Sequence, residues 1–293
     1  MPELPEVETM ARELRPYVLG RAIRSFWCDR PAILGEPKDP HTLETLLTGR
    51  RIVATSRRAK IILFALDDGA LLTYAPRMTG QFVVAPAGSP HESHERAGLE
   101  LSDGMELRIR DARTFGRLNY YASVRAEPSE EGEGMRYLDA RTGGDIFAAL
   151  GPEPLDPHTN ETVMLRLSAR KYANQPIKSA LLDQHFIAGV GNIYADESLW
   201  ATKIHPQRKA GSLSLKETQR LFAAIRKILE VAVDHRGSTV GNYRSLGGPG
   251  RMQQHLAVYG RAGALCVACE ETRLVKLKVG GRGTVICPHC QKL

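Results

Sequence analysis

Reactive chemistry is concentrated at the two ends of the chain. It begins Met1-Pro2-Glu3-Leu4-Pro5-Glu6-Val7-Glu8-Thr9. Removal of Met1, which a small second residue permits, leaves Pro2 as a terminal secondary amine. An α-amino group titrates near pH 8, far below a lysine, so part of it is unprotonated in neutral water. Such an amine attacks an aldehyde-like carbon to give an iminium ion, the chemistry of a Schiff-base nucleophile. Glu3 beside it can move protons or stabilise that cation. The same residues would also suit an ordinary helix start, with Pro5 in the first turn.

At the other end, Cys266-Val-Ala-Cys269 and Cys287-Pro-His-Cys290 are two C-x-x-C knuckles with 17 residues between them. Each offers two thiolates at a tight turn, and together they make a tetrahedral four-sulfur set for one zinc ion. Four thiolates leave no open position, so this zinc is structural. A segment so short cannot hold itself by apolar burial, and the metal stabilises its fold outright. Between the knuckles, Gly280-Gly281-Arg282-Gly283 sets Arg282 at a hairpin tip, placed to enter a groove. A further signal is Gly189-Val190-Gly191-Asn192-Ile193-Tyr194. Two glycines permit a tight backbone, Asn192 offers an amide, and the helix start that follows suits a phosphate. A purely structural turn fits those glycines as well. Cys28 stands alone and reads as a small buried hydrophobe.

These groups need elements to position them. A helix is predicted from about Pro5 to Tyr17, with Val7, Met10, Ala11 and Leu14 on one face. Strands follow at 22–27, 51–55, 60–66, 70–74, 81–84, 98–101, 106–110 and 117–121, with turns at Asp67-Asp68-Gly69 and Asp103-Gly104. Many short strands in succession favour a β-sandwich. They stop at the acidic stretch 126–134. After Gly151–Leu155 the pattern turns helical, at 160–169, 179–186, 196–203 and 215–235. The last opens with a Ser214-x-x-Glu217 capping box.

The 293 residues are 42% hydrophobic and 25% charged, which places the chain among soluble globular proteins with room for two cores. There are 40 Lys and Arg against 33 Asp and Glu. From Ala201 to Leu293 the balance is 16 to 5, and in the remainder 24 to 28. A basic C-terminal third suggests a polyanion-binding surface. Membrane-spanning runs and a signal-peptide start are both lacking, so a cytoplasmic location is expected. Coiled-coil heptads are absent too, and a monomer is expected.

Taken together, these motifs resemble the formamidopyrimidine-DNA glycosylase (Fpg) family, which includes endonuclease VIII. The resemblance rests on the Pro2–Thr9 opening, Arg57-Arg58-Ala59-Lys60, Gly151–Leu155, Gly189–Leu199, Val258-Tyr259-Gly260-Arg261 and the four cysteines. Leu4-Pro5 stands where endonuclease VIII proteins usually have Gly-Pro, which favours the Fpg branch. The resemblance implies an α+β multidomain fold. Its parts are an N-terminal β-sandwich with an N-terminal helix (1–134), a helical domain with a helix-two-turn-helix (135–257) and a β-hairpin zinc finger (258–293), with DNA bound between the lobes. It implies a bifunctional DNA-repair enzyme that excises 8-oxoguanine and formamidopyrimidines from double-stranded DNA and then cuts the strand by β,δ-elimination, with no redox cofactor.

By resemblance, Pro2 is the nucleophile on C1′ and Glu3 the proton donor that opens the sugar. Glu6 is a supporting carboxylate, Lys60 assists elimination beside a phosphate, and Arg282 serves the last elimination. Met78, Arg113 and Phe115 fill the gap left by a flipped nucleotide, whose extrusion costs about a few kcal/mol. Taken alone, Met78 could equally be core. His94, Lys171, Asn192, Tyr259 and Lys276 match DNA-contacting positions. The sequence departs from the family at Ala75-Pro76-Arg77-Met78, where His-Leu-x-Met is usual. It departs again at Asp111–Gly116, which lacks a second basic residue, and at Ser245–Gln253, which lacks the aromatic before the Gln. These departures bear on base preference and bring hydantoins in as substrates. Two other readings remain: an endonuclease VIII-like glycosylase for oxidised pyrimidines, and a damage-binding protein that does not cut.

Overall fold

In the computed structural model, which describes residues 2–128, 135–156, 166–167, 170–239 and 246–293, the first helix α1 spans Leu4–Val18. Glu3 is its N-cap and forms a capping box with Glu6, with Pro5 in the first turn. Val7, Met10, Ala11, Leu14 and Val18 form the buried face that the helical periodicity predicted.

That face packs on a two-layer sandwich. One antiparallel sheet has the order β1 (Ile23–Cys28), β6 (Glu95–Leu101), β7 (Met105–Arg110), β5 (Gln81–Pro86). The other has the order β2 (Ile52–Arg58), β3 (Ile61–Leu66), β4 (Leu71–Ala75), β8 (Arg117–Tyr121). Phe26, Phe82, Leu99, Leu107 and Ile109 from the first sheet share one core with Ile62, Phe64, Leu72, Tyr74 and Leu118 from the second. Phe64 and Tyr74 both meet the Phe82 ring edge-on, with centroids 5.9 and 5.3 Å away. Cys28 is half-buried against this core, and burial pushes its thiol up.

The predicted sandwich is therefore present, with two additions. Helix α2, Pro40–Leu47, was not predicted. Its signal is short: Asp39 caps Thr42, Pro40 opens the first turn, and only Leu43 and Leu47 are buried. Strands also continue past the expected stop. β9 (Val124–Pro128) pairs with β10 (Met135–Asp139), flanking the acidic stretch that masks the pattern.

The rest of the chain is helical, then a hairpin. Short helices α3 (Arg170–Ala173) and α4 (Ile177–Leu182) precede α5 (Asn192–Ala201) and α6 (Leu215–Asp234). α4 and α5 each start earlier than the apolar spacing suggested, because Pro176 and Gly191 serve as their N-caps. The predicted helix at 160–169 falls on residues of which only 166 and 167 are described. The Ser214–Glu217 capping box forms as read, with donor–acceptor distances of 2.9 and 3.3 Å. Strands β11 (Val275–Val279) and β12 (Arg282–Ile286) pair antiparallel, Val279 opposite Arg282.

The chain forms two compact units. The first contains Met1–Glu127, Arg136–Ile146 and His235–Arg251; the second contains Pro128–Met135, Phe147–Asp234 and Met252–Leu293. Among the described residues, no helix is long and apolar enough to cross a membrane.

Candidate active site

Within the first unit, Pro2, Glu3 and Glu6 are all buried, the two carboxylates only 1% exposed. Glu6 holds the region together. Its Oε2 accepts from the Glu3 N–H at 2.8 Å, and its Oε1 accepts from the Ser238 N–H at 2.6 Å. Both carboxylates sit at the positive end of α1, where the helix dipole favours negative charge. Gly237 has φ +70°, and a Cβ there would come within 2.6 Å of Glu6 Oε1, so glycine is required. Two helical turns further on, Glu13 accepts from Arg236 Nε at 3.0 Å and from the Gly247 N–H at 3.1 Å. Two carboxylates of α1 thus fasten the segment after α6 beside Pro2. The sequence reading anticipated Glu6 but not its partners Gly237 and Ser238, nor the pair Glu13 and Arg236. Their only local signal is a glycine just past a helix end.

Lys60 stands in the two-residue turn between β2 and β3, where Ala59 adopts φ +53°. Arg57 clips that turn to α1, donating to the Ala59 carbonyl and to Glu8 Oε2, both at 3.0 Å. Burial alone would raise the Glu8 carboxyl, but the Arg57 and Arg12 guanidiniums outweigh it and bring it below the usual range. Pro2 and Lys60 are therefore both fixed with respect to one helix.

Met78, Arg113 and Phe115 come together, and they are not core. Met78 is 41% and Phe115 47% exposed. The Arg113 guanidinium lies 4.6 Å from the Phe115 ring centroid and donates to Met78 Sδ at 3.3 Å. Asp111, fully buried, organises the loop that carries two of them. Its carboxylate accepts from the Thr79 hydroxyl, the Arg113 N–H at 3.2 Å and the Gly116 N–H at 2.7 Å. Its own N–H donates to the His94 carbonyl at 2.8 Å, and Arg96 Nε donates to its carbonyl at 3.1 Å. His94, exposed and with φ +71°, is thereby held beside the same loop. The sequence around Asp111 carries no local signal of this role, because Thr79 and His94 lie far from it in the chain.

In the second unit a buried polar clamp fixes the hairpin. Lys178 Nζ pairs with Asp196 Oδ1 at 2.6 Å, both essentially without solvent exposure. It also donates to Thr284 Oγ1 at 2.7 Å and to the Gly283 carbonyl at 3.0 Å. Asn192 Nδ2 reaches the same carbonyl at 3.0 Å, and Asp196 Oδ2 accepts from the Val285 N–H at 3.3 Å. Arg282, exposed at the start of β12, is set beside the first turn of α5 by these bonds. Lys276 is exposed on β11, where Val285 is its cross-strand partner. Glu197 fixes Tyr259, accepting from the Ala257, Val258 and Tyr259 N–H groups at 2.8, 2.9 and 2.8 Å. Lys171 is engaged locally, with Asp183 at 3.2 Å and the Tyr172 hydroxyl at 2.9 Å. The sequence reading missed Lys178, Asp196 and Glu197 as site builders. Their only trace was two carboxylates and a lysine in segments otherwise read as apolar helix.

The four cysteines meet. Cys266, Cys269, Cys287 and Cys290 place all four Sγ atoms within 4.8 Å of one another. Cys269–Cys287 and Cys266–Cys290 are 3.7 and 4.0 Å apart. A Zn–S bond of about 2.3 Å implies a tetrahedral edge of about 3.8 Å. The N–H groups of Ala268 and Cys290 donate to Cys266 and Cys287 Sγ, each at 3.4 Å. Burial pushes the Cys266 thiol up, but the Ala268 N–H and the Trp200 indole N–H help outweigh it and bring it down to about 6. Burial and the three neighbouring sulfurs push Cys290 up to about 12. Sulfurs so crowded cannot all be anionic without a cation among them, and one structural zinc fits this donor set.

Known proteins match the same parts. The formamidopyrimidine-DNA glycosylase N-terminal domain matches residues 1–118, its H2TH domain residues 150–244, and the zinc finger found in FPG and IleRS residues 266–293. The formamidopyrimidine-DNA glycosylase of Herpetosiphon aurantiacus is 42% identical, over 99% of this chain and all of that one. The chain belongs to the formamidopyrimidine-DNA glycosylase family. Its fold agrees with that of the Lactococcus lactis Fpg in a complex with an abasic site-containing DNA, at TM-score 0.85 and 32% identity, over 99% of this chain and all of that one. MutM in a complex with carbocyclic 8-oxo-G-containing DNA matches at TM-score 0.83 and 34% identity, over the whole of both chains.

Two of the departures from the Fpg pattern are now placed. Arg77, before Met78, is exposed and takes φ +53°, which turns the chain so that Met78 reaches Arg113. The described part of the 245–253 loop is tied down by Gly247 on Glu13 and by the Gly250 N–H on Thr239 Oγ1 at 2.7 Å.

Proposed function

We propose that this chain excises oxidised purines, namely 8-oxoguanine, formamidopyrimidines and hydantoins, from double-stranded DNA and then cuts the strand at the resulting abasic site. The observation that carries the reading is the buried Pro2-Glu3-Glu6 cluster, in which Glu6 locks both the terminus and Ser238. The Pro2 nitrogen adds to C1′ of the flipped nucleotide as the C1′–base bond breaks; the base leaves with the bonding pair and takes up the proton that the amine sheds. Glu3 gives a proton to the ring oxygen as the sugar opens, which leaves an iminium between Pro2 and C1′. That cation acidifies C2′–H. Loss of this proton expels the 3′ phosphate, and a second elimination expels the 5′ phosphate. Water then releases the sugar fragment and restores the amine.

Lys60 binds a phosphate at the scissile nucleotide and assists the eliminations, and Arg282 serves the last one. Met78, Arg113 and Phe115 occupy the gap in the stack, their exposure and mutual contacts supporting that use. His94, Asn192, Tyr259, Lys276 and Lys171 contact the DNA backbone. Lys171 does so once its bond to Asp183 is exchanged for a phosphate. The segments 1–134, 135–257 and 258–293 divide the work into chemistry, backbone grip and finger contact. The protein works as a monomer in the cytoplasm.

Excision kinetics on duplexes carrying 8-oxoguanine, a formamidopyrimidine, a hydantoin or thymine glycol test the substrate class. The three purine-derived lesions should be released far faster than thymine glycol. Preferential release of thymine glycol would overturn the purine assignment, and uncleaved abasic DNA would overturn the lyase.

A further inference from the structure

Helix α5 ends beside the four-cysteine cluster, and its penultimate residue is Trp200. The indole packs with Val258, Cys266, Leu274, Val285 and Cys287, the finger's own apolar cluster. Its Nε1 is sealed from solvent and, among the described residues, meets no acceptor in full hydrogen-bonding geometry; the group it acts on is the neighbouring Cys266 sulfur. A buried N–H left in that state is unfavourable, and a nearby anion would relieve it. Other donors to these sulfurs, such as the Ala268 and Cys290 N–H groups, come from the knuckles and the loop beside them. Trp200 differs because it comes from a separate element.

We infer that Trp200 is an outer hydrogen-bond donor of the zinc centre, with its indole N–H directed at the Cys266 thiolate. The inference rests on the finger holding zinc. When the metal is bound, the thiolate carries concentrated negative charge and becomes the acceptor that the indole lacks. Charge-assisted bonds of this kind are stronger than neutral ones. Outer-shell partners hold a metal ligand in place, and their loss typically weakens metal affinity about 10–100-fold. This donor also ties the metal to the helix that carries Asn192, Asp196 and Glu197, the residues that position the hairpin and Tyr259. Zinc would then fix the α5–finger junction as well as the finger.

The full chain loaded with ¹¹³Cd in place of zinc gives the decisive readout. A bond from Trp200 to a metal-bound thiolate transmits a scalar coupling from ¹¹³Cd to the indole Nε1 proton, and it slows exchange of that proton with water. Trp27→Phe assigns the signal, because Trp27 and Trp200 are the only two tryptophans. The coupling should appear on Trp200 alone. In parallel, zinc competition with a chelator should show about tenfold weaker binding in Trp200→Phe, which keeps the ring and loses the N–H, and no change in Trp27→Phe. Cadmium uptake without a coupling overturns the Trp200 assignment and leaves the metal site standing. Failure to take up any metal overturns both. The coupling is measured on unsubstituted Trp200, so the test holds even if Trp200→Phe does not fold.

Discussion

Among the described residues, 25 buried side chains form the sandwich cluster, while the finger's cluster has five, two of which are cysteines. Each large apolar side chain buried in the sandwich contributes about 1.5–3 kcal/mol, so that unit can hold exposed reactive loops on a core of its own. The finger has no such reserve. Its hairpin is placed by thiolates and by the Lys178–Asp196 clamp, and both depend on charge rather than on area. The same contrast runs through the sites. Pro2, Lys60 and the Met78–Arg113–Phe115 group are anchored to elements that packing has already fixed. Arg282 and Lys276 are only as well placed as the polar network behind them.

Metal removal should separate the two regions most sharply. Chelation, or Cys287→Ser, should unfold residues 258–293, since structural zinc supplies about 10–16 kcal/mol of apparent binding free energy in small fingers. Limited proteolysis should then cut the finger while a fragment containing 1–127 survives. Equal protection of both regions after chelation would erase the contrast.

The clamp comes next. Asp196→Ala leaves Lys178 charged and buried, and should cost about 3–5 kcal/mol in denaturant unfolding. Lys178→Met combined with Asp196→Leu should recover most of that stability. The double variant should still cleave poorly at the last elimination, because Arg282 loses its placement. A double variant as unstable as Asp196→Ala alone would show that the loss comes from the broken polar network itself and not from an uncompensated buried charge.

In the first unit, Phe115→Ala and Met78→Ala should leave stability within about 0.5 kcal/mol, as exposed side chains do. Excision from a duplex should nonetheless fall, while cleavage of a single-stranded abasic substrate should not. A loss of stability of about 3 kcal/mol would return these residues to the core.

The smallest effect is a pH dependence. The Glu217 carboxyl is held down to about 2 by the Arg208 guanidinium and by Ser214. Its contribution is complete above the ordinary glutamate value near 4.5 and is lost as pH falls from there through about 2. Glu217→Gln should lower stability by about 1 kcal/mol near neutrality, as loss of a capping interaction does, and flatten the acid limb of the melting curve. An unchanged limb would assign that acid sensitivity elsewhere.

How far the sequence could be read follows the same division. Alternating apolar strands, the amphipathic α1 and the cysteine spacing announce themselves because each is a local pattern with a fixed period. Helix α2 escaped because two buried leucines in eight residues make too weak a period, although Asp39-Pro40 is a sound start signal. The β9–β10 hairpin escaped because its strands flank an acidic stretch. The reactive residues were legible by type and by resemblance. Their supports were not. Asp111, Ser238, Lys178 and Glu197 act on partners distant in the chain or on backbone groups, and no local spacing encodes such pairs.

The central step is covalent attachment of the Pro2 nitrogen to the damaged nucleotide. Borohydride reduction during turnover on 8-oxoguanine duplex, followed by mass spectrometry of the trapped peptide, tests it directly. The adduct should lie on residue 2 of a chain that has lost Met1. Retention of Met1 in fully active protein, or a reduced cross-link on Lys60 or any other side chain, would contradict it.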